Sequence, residues 1–196
     1  VIGNTIYLSN PEVANNSGIG IRLGSSSDVV CVGNNISSNG GSAASNQDMT
    51  GIYMTGCTGA VVDSNVINMD YILGTKSWKG IQFGDNSSCT VSNNRVLSYG
   101  KPVHNNGGVS SSTGMSWLGN EFVSTTGVGG DSVIDRIWGR VEGNRFYWAG
   151  TGGAQTLIAK YGPGVVKGNI SEGALFTFLS TEESLLSVVE GNTSNG

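Results

Sequence analysis

A six-residue string recurs eight times along this 196-residue chain, and nothing else in the sequence limits the fold so tightly. Aligned on its Asn, the string is apolar, any, small, Asn, any, apolar. The copies are V-I-G-N-T-I, C-V-G-N-N-I, V-D-S-N-V-I, V-S-N-N-R-V, W-L-G-N-E-F, V-E-G-N-R-F, V-K-G-N-I-S and V-E-G-N-T-S. They open at Val1, Cys31, Val62, Val91, Trp117, Val141, Val166 and Val189. Their Asn residues stand at 4, 34, 65, 94, 120, 144, 169 and 192, in steps of 30, 31, 29, 26, 24, 25 and 23 residues. Self-similarity at such a period means stacked units in which each repeat buries its apolar face on the next.

Each copy alternates over a few residues, as a strand does. About 12 to 16 residues upstream lies a second short alternation: Gly18-Ile19-Gly20-Ile21-Arg22-Leu23, Gly51-Ile52-Tyr53-Met54 and Gly80-Ile81-Gln82-Phe83. Period-2 runs of this length, bounded by Gly, Asn and Ser, predict strands. Two or three strands per turn describe a parallel β-helix coil. The L-x-x-L-x-L frame of a leucine-rich horseshoe is absent, and so is helical spacing.

Coiling the chain stacks the motif into columns. The opening position gives the eight residues named above, and the closing position gives Ile6, Ile36, Ile67, Val96, Phe122 and Phe146 before lapsing to Ser171 and Ser194. Coils repeat at the inter-strand spacing, ~4.8 Å, so each inward side chain rests on its neighbour. The Asn between the two columns is expected to bend the chain, since Asn tolerates left-handed backbone angles, and to bond through its amide to the Asn above and below.

The strings G-I-x-x and V-x-x-N-x-I resemble the right-handed parallel β-helix repeat shared by pectate-lyase-like enzymes, mannuronan epimerases and bacteriophage tailspikes. The similarity spans essentially all of the chain. The fold it implies is all-β: a right-handed, single-stranded parallel β-helix of about eight coils, forming one domain over residues 1–196. The repeat encodes the scaffold and leaves the substrate open.

In such a coil the 32 Gly and the abundant Ser, Thr and Asn are corner residues. Charged residues are 12% of the chain, the net charge is −4 and the pI is about 4.8. That balance argues against nucleic acid, which needs clustered Lys and Arg. No run reaches transmembrane length, so no membrane partner is expected. Cys31, Cys57 and Cys89 fit small buried hydrophobes, with no disulfide, and no spacing suggests a metal site or another cofactor. Val1 opens inside a motif and the chain stops just after the eighth Asn, so a fragment of a longer protein, or ends covered by a partner, is expected.

Loops follow the motif's closing position and shrink along the chain. They run from Tyr7 to Ser17, from Ser37 to Asp48, from Asn68 to Lys79, from Ser98 to Gly107, then more briefly from Gly127 to Asp131 and from Tyr147 to Gly153. All should emerge on one side, where repeat scaffolds bind their ligands. They hold Tyr71, Trp78, Tyr99, Tyr147 and Trp148, whose flat faces suit sugar rings, although the same rings also serve to pin loops onto the coil.

The charges beside the motif have a structural use. Arg95, Glu121 and Arg145 succeed one another in one outward column, and Glu142, Lys167 and Glu190 in another, as cross-strand pairs worth roughly 0.2–1 kcal/mol each. Asp48, Asp63, Asp70, Asp85, Asp131 and Asp135 are left. Glycoside hydrolysis needs two carboxylates about 5–9.5 Å apart. Asp131 and Asp135 flank one strand and are the candidate pair, with Asp70 in the longest aromatic-bearing loop as a third. A lyase or epimerase needs a base beside a uronate carboxylate and a cation to neutralise it. His104 with Tyr99 and Lys101, and Lys76, Lys79 or Arg136 nearby, fits that need.

The resemblance therefore implies a tailspike-like depolymerase, a glycoside hydrolase recognising a bacterial cell-surface polysaccharide (capsule or O-antigen) from a virion tail. Its candidate catalytic residues are Asp131, Asp135 and Asp70, and its candidate substrate-binding residues are Tyr71, Trp78, Tyr99, His104 and Trp148. Outward apolar residues such as Val66, Leu118 and Ile170 fit a homotrimer. The competing readings are a secreted polysaccharide lyase or uronate epimerase, and a non-catalytic carbohydrate-binding or structural fibre segment.

Overall fold

A computed structural model describes residues 1–8, 18–38, 49–69, 78–105, 114–125, 134–135, 139–149, 155–158, 164–173, 175–178 and 188–195, with 134–135, 155–158 and 175–178 as backbone alone. Every regular element among them is a strand. The first motif contributes β1 (Thr5–Leu8). One turn follows with β2 (Gly18–Gly24), β3 (Val30–Val32) and β4 (Asn35–Ser38), and another with β5 (Met49–Thr55), β6 (Val61–Asp63) and β7 (Val66–Met69). The next is β8 (Lys79–Gly84), β9 (Thr90–Ser92) and β10 (Arg95–Ser98), and the one after is β11 (Lys101–Asn105), β12 (Ser116–Leu118) and β13 (Glu121–Ser124). Then come β14 (Ile134–Asp135), β15 (Arg140–Glu142), β16 (Arg145–Trp148), β17 (Gln155–Ile158), β18 (Val165–Lys167) and β19 (Ile170–Glu172). The last are β20 (Leu175–Phe178), β21 (Val188–Glu190) and β22 (Thr193–Asn195).

Each strand pairs in parallel with the strand one turn later, giving three walls. The eight-stranded wall runs β1-β4-β7-β10-β13-β16-β19-β22, one strand per motif. The seven-stranded wall runs β3-β6-β9-β12-β15-β18-β21, and the five-stranded wall β2-β5-β8-β11-β14. A separate pair, β17-β20, comes later. This is an all-β parallel solenoid, as the repeat predicts. The expected eight coils are complete in one wall only. Four turns carry strands of at least three residues in all three walls, β14 is two residues long, and the later turns are shorter in sequence.

The columns stack in register. Cys31, Val62, Val91, Trp117, Val141, Val166 and Val189 are successive partners in the seven-stranded wall. Ile6 through Ser194 succeed one another in the eight-stranded wall in the predicted order. Both columns are buried except near the ends of the stack. Where the turns shorten, rings fill the core: Phe122 stacks on Phe146 at 5.6 Å, and Trp117 lies 5.0 Å from Phe83 between ring centres. Burying such side chains stabilises by roughly 1.5–3 kcal/mol each.

The Asn ladder is complete from Asn4 to Asn192. Asn120 shows the pattern. Its Oδ1 accepts from the backbone N–H and the Nδ2 of Asn94, both at 3.0 Å, while its Nδ2 donates to Asn144 Oδ1 and to Val91 O, both at 2.9 Å. All four hydrogen-bonding positions of the amide are thereby used inside the protein. The bend lies elsewhere than expected. The left-handed residue is the small one before the Asn, for example Ser64 (φ 53°), Asn93 (φ 52°) and Gly143 (φ 62°). The ladder Asn itself is free of that strain, and its side chain acts as the staple.

The remaining structural expectations divide. Cys31, Cys57 and Cys89 are buried free thiols. Burial pushes the Cys31 and Cys89 thiols above their usual range. Arg95 pairs with Glu121 (3.1 Å) and Lys167 with Glu190, as their columns predict. Arg145 and Glu142 choose other partners: Arg145 reaches forward to Glu172 (2.8 Å), and Glu142 binds Arg140 on its own strand (2.8 Å).

Candidate functional site

The outer face of the five-stranded wall gathers the chemistry that the sequence scatters. Its strands β8 and β11 share a local pattern, a half-buried residue, two buried ones, then another half-buried one, and β5 keeps it except that Thr50 at its first place is buried. In β5, β8 and β11 the sheltered pairs are Gly51-Ile52, Gly80-Ile81 and Pro102-Val103, all buried. The glycines are obligatory because this wall passes beneath the β-branched column of the eight-stranded wall. A Cβ on Gly80 would lie 2.0 Å from Val96 Cγ1, and one on Gly51 2.5 Å from Ile67 Cγ2. The strict alternation expected of these strands is broken at that step, and residues three apart come to share the outer face.

Two files of side chains result. One is Thr50, Lys79 and Lys101, successive partners on β5, β8 and β11. The other is Arg22, Tyr53, Gln82 and His104, successive partners on β2, β5, β8 and β11, with Asp135 of β14 next in register. Arg22 is exposed and Tyr53, Gln82, Lys79, Lys101 and His104 are half-buried. The Arg22 guanidinium lies 5.6 Å from the centre of the Tyr53 ring, within cation–π range. Thr50 Oγ1 donates to Gln82 Oε1 at 3.0 Å, tying the two files together.

The residues singled out from sequence distribute unevenly over this face. His104, expected in a loop, and Asp135, expected beside a strand, become register neighbours because Lys101–Asn105 is a strand. Among the described residues of the expected loop from Ser98 to Gly107, only Tyr99 and Gly100 lie outside a strand. Tyr99 is half-buried there, and its N–H donates to Met69 O at 3.1 Å. Trp78 and Trp148 belong to the hydrophobic core, 3% and 8% exposed. Trp78 works through its carbonyl, which accepts from Ser98 Oγ (2.6 Å) and the Lys101 N–H (3.0 Å). Both rings pin chain to the coil and leave almost no face for a sugar. Asp48, Asp70, Tyr71, Lys76, Asp131 and Arg136 lie outside the described residues, as do most of the expected loops.

Asp63 is occupied structurally. Its carboxylate accepts from Ser92 Oγ (2.6 Å), Ser64 Oγ (2.8 Å) and Asn93 Nδ2 (2.9 Å) on the seven-stranded wall. The Ser92 hydroxyl above all, then the Ser64 hydroxyl and the Asn93 amide, hold it below the usual carboxylate range. Among the described residues no group of three or more His, Cys, Asp or Glu could hold a metal ion.

Arg22, Tyr53 and Gln82 do not stand out in the sequence by residue type. Their signal is positional, since each follows a Gly-Ile pair directly (Gly20-Ile21, Gly51-Ile52, Gly80-Ile81), and His104 follows Pro102-Val103 in the same way. The model of one family, described as a right handed beta helix region, matches residues 1–129. That span holds β1 to β13 and with them both files up to His104. No curated protein and no solved structure gives a significant match to the chain.

Proposed function

The chain belongs to the right-handed β-helix family, and from that premise we propose that it binds a polysaccharide along the outer face of the five-stranded wall and cleaves it. The fold is compatible with polysaccharide-binding and polysaccharide-degrading proteins. The observation that carries the reading is the file Arg22, Tyr53, Gln82 and His104, continued in register by Asp135. It offers an aromatic ring, an amide, an imidazole and charged groups at a repeat of ~4.8 Å. An extended sugar chain presents apolar ring faces and hydroxyls in a similar rhythm, and such mixed surfaces hold both.

The cleavage chemistry in this reading is glycoside hydrolysis. One carboxylic acid protonates the glycosidic oxygen while a second carboxylate activates water or attacks the anomeric carbon. Asp135 is one of the two, at the end of the file, and Asp131 or Asp70 supplies the other. The protein then serves as a tailspike-like depolymerase in a virion tail, acting on the capsule or O-antigen of a bacterial host. Val66 and Ile170, 44% and 40% exposed on the eight-stranded wall, support a homotrimer covering that wall. A second reading, binding without cleavage, is favoured by the acid content of the face: β2, β5, β8 and β11 contain no Asp or Glu.

Incubation with a panel of purified bacterial polysaccharides tests these readings. Hydrolysis releases reducing ends without ultraviolet absorbance, and a lyase releases both. Retention on an immobilised polysaccharide with neither product leaves the binding module. Failure to bind any member removes the proposal. Light scattering after size exclusion tests the trimer, and a monomer at high concentration refutes it.

A further inference from the structure

The strands of the five-stranded wall hold a single tyrosine, Tyr53 of β5, set between Arg22 of β2 and Gln82 of β8 in one outward file. Strands lie ~4.8 Å apart, so these register neighbours flank the ring. The two are held differently. Gln82 is tied down, its Oε1 accepting from Thr50 Oγ1 at 3.0 Å across to the other file. Arg22 lies over the ring itself, its guanidinium carbon 5.6 Å from the ring centre.

Arg22 is exposed and Tyr53 half-buried, so the cover is the more mobile partner. The next outward position on β2 is Gly24, where an added Cβ would still stand 4.0 Å from Arg22 Nε. The long side chain thus has open space along its own strand and can leave the ring without any movement of the backbone. A ligand competes for the place it leaves. The apolar face of a sugar stacks on an aromatic face, and a guanidinium occupies that same face through the ring quadrupole. One face holds one of them at a time. At an exposed site a cation–π contact favours the covered form about two- to fivefold. Apparent affinity falls with the fraction of protein whose ring is open.

We propose that Arg22 is a displaceable cover on Tyr53, closing the ring face in the free protein and exchanged for a sugar ring when the polysaccharide binds. The inference rests on the binding reading given above and adds the residue that sets its strength. The exchange favours a sugar unit whose C–H groups line one face of its ring, because that face replaces the contact the guanidinium gives up.

Two measurements on the whole chain test this. Hydroxyl-radical labelling, located by mass spectrometry, reports access to the Tyr53 ring, with Tyr147 on the eight-stranded wall as internal reference. Arg22→Gln should raise the labelling of Tyr53 relative to Tyr147 in the free protein, and an unchanged ratio overturns the cover. Binding is then measured against purified bacterial polysaccharides: dextran, capsular polymers and O-antigens. Salt is set at ~0.15 M and again at ~0.5 M, where the charge removed by the substitution is screened. Arg22→Gln should strengthen binding about three- to sixfold. Tyr53→Leu should weaken it, and in that background Arg22→Gln should bring no gain. Urea unfolding verifies the fold of each variant. Unchanged or weaker binding by Arg22→Gln, or a gain that survives loss of the ring, overturns the exchange and leaves polysaccharide binding intact. Binding of no polymer by the parent chain overturns both.

Discussion

Replacing Asn120 with Ala or Asp tests the physical basis of the stack most directly. With Ala, the Asn94 N–H loses its acceptor at 3.0 Å, and Val91 O, paired in the β9–β12 ladder, loses its second, side-chain donor at 2.9 Å. The Asn94 amide keeps Val62 O (2.9 Å) and Ser92 O (2.8 Å), and Asn144 Oδ1 keeps the Asn120 N–H (2.9 Å). One buried backbone N–H is orphaned at ~1–3 kcal/mol, and with the side-chain bonds lost beside it a loss of about 2–4 kcal/mol is expected. That is a large share of the ~5–15 kcal/mol typical of a domain. With Asp, one oxygen still accepts from Asn94, but the other faces Val91 O and Asn144 Oδ1, both acceptors 2.9 Å from the nitrogen it replaces. Burial and those oxygens raise the carboxyl pKa above its unfolded value of ~3.9. Relative to the parent chain, the Asp variant should be most stable below about pH 4 and should lose stability as pH rises through the folded pKa. The loss is about 1.4 kcal/mol for every tenfold by which folding weakens the acid. Urea unfolding followed by circular dichroism at several pH values measures both variants. An Ala variant within ~1 kcal/mol of the parent, or an Asp variant whose difference from the parent ignores pH, refutes the ladder argument.

Glycine substitutions should separate close approach from backbone strain. Gly80→Ala drives a Cβ to 2.0 Å from Val96 Cγ1 and 2.6 Å from Pro102 O and should cost ~3 kcal/mol or more. Gly143→Ala meets nothing within 4 Å and should cost only the left-handed penalty, roughly 1–2 kcal/mol; equal urea midpoints would contradict the distinction. Asp63, held low chiefly by Ser92, contributes stability present above its unfolded pKa of ~3.9 and lost as pH falls through the lower folded value. Asp63→Asn should therefore flatten the acid limb of the stability profile, and an unchanged limb counts against that bond. The three buried thiols should resist a thiol reagent in the native protein and all react once it is unfolded; rapid labelling of Cys31 or Cys89 in the folded chain would contradict their burial.

The scaffold was legible because it is written redundantly. A column such as Val62, Val91 and Val141 is fixed by each copy of the motif, so an error in one repeat is corrected by its neighbours. Redundancy also explains what misled. Bending and stapling both lie within Asn chemistry, and the sequence alone does not separate them. The structure divides them, giving the left-handed angle to the preceding Gly, Ser or Asn and the hydrogen bonds to the ladder. Lys101–Asn105 looked like loop because Pro102 and His104 break the apolar alternation. Its strand character comes from pairing with β8, a long-range effect that no local pattern carries. Arg145 turned to Glu172 rather than Glu121 for a related reason, since an outward side chain on a sheet has neighbours on two sides and sequence spacing does not rank them.

The candidate site was harder to find for a cause that follows from the same redundancy. Inside the coil each turn must repeat its neighbour, because a Val, Ile or Phe rests directly on the residue above. Outside it no such demand exists, and the outward position after each Gly-Ile step is free to be Arg22, Tyr53 or Gln82 in turn. Recurrence therefore marks the core and passes over the outer face, where information lies in how successive turns differ. On the two walls where outward charges follow one another with alternating sign, as with Arg95 and Glu121, the charges complement each other within the protein. On the five-stranded wall the succession becomes Lys79 with Lys101 and Gln82 with His104, a like-charged pair beside a polar one. In a solenoid the outward files are therefore where successive turns are free to differ, and the file of Arg22, Tyr53, Gln82 and His104 is the one on which the binding proposal stands.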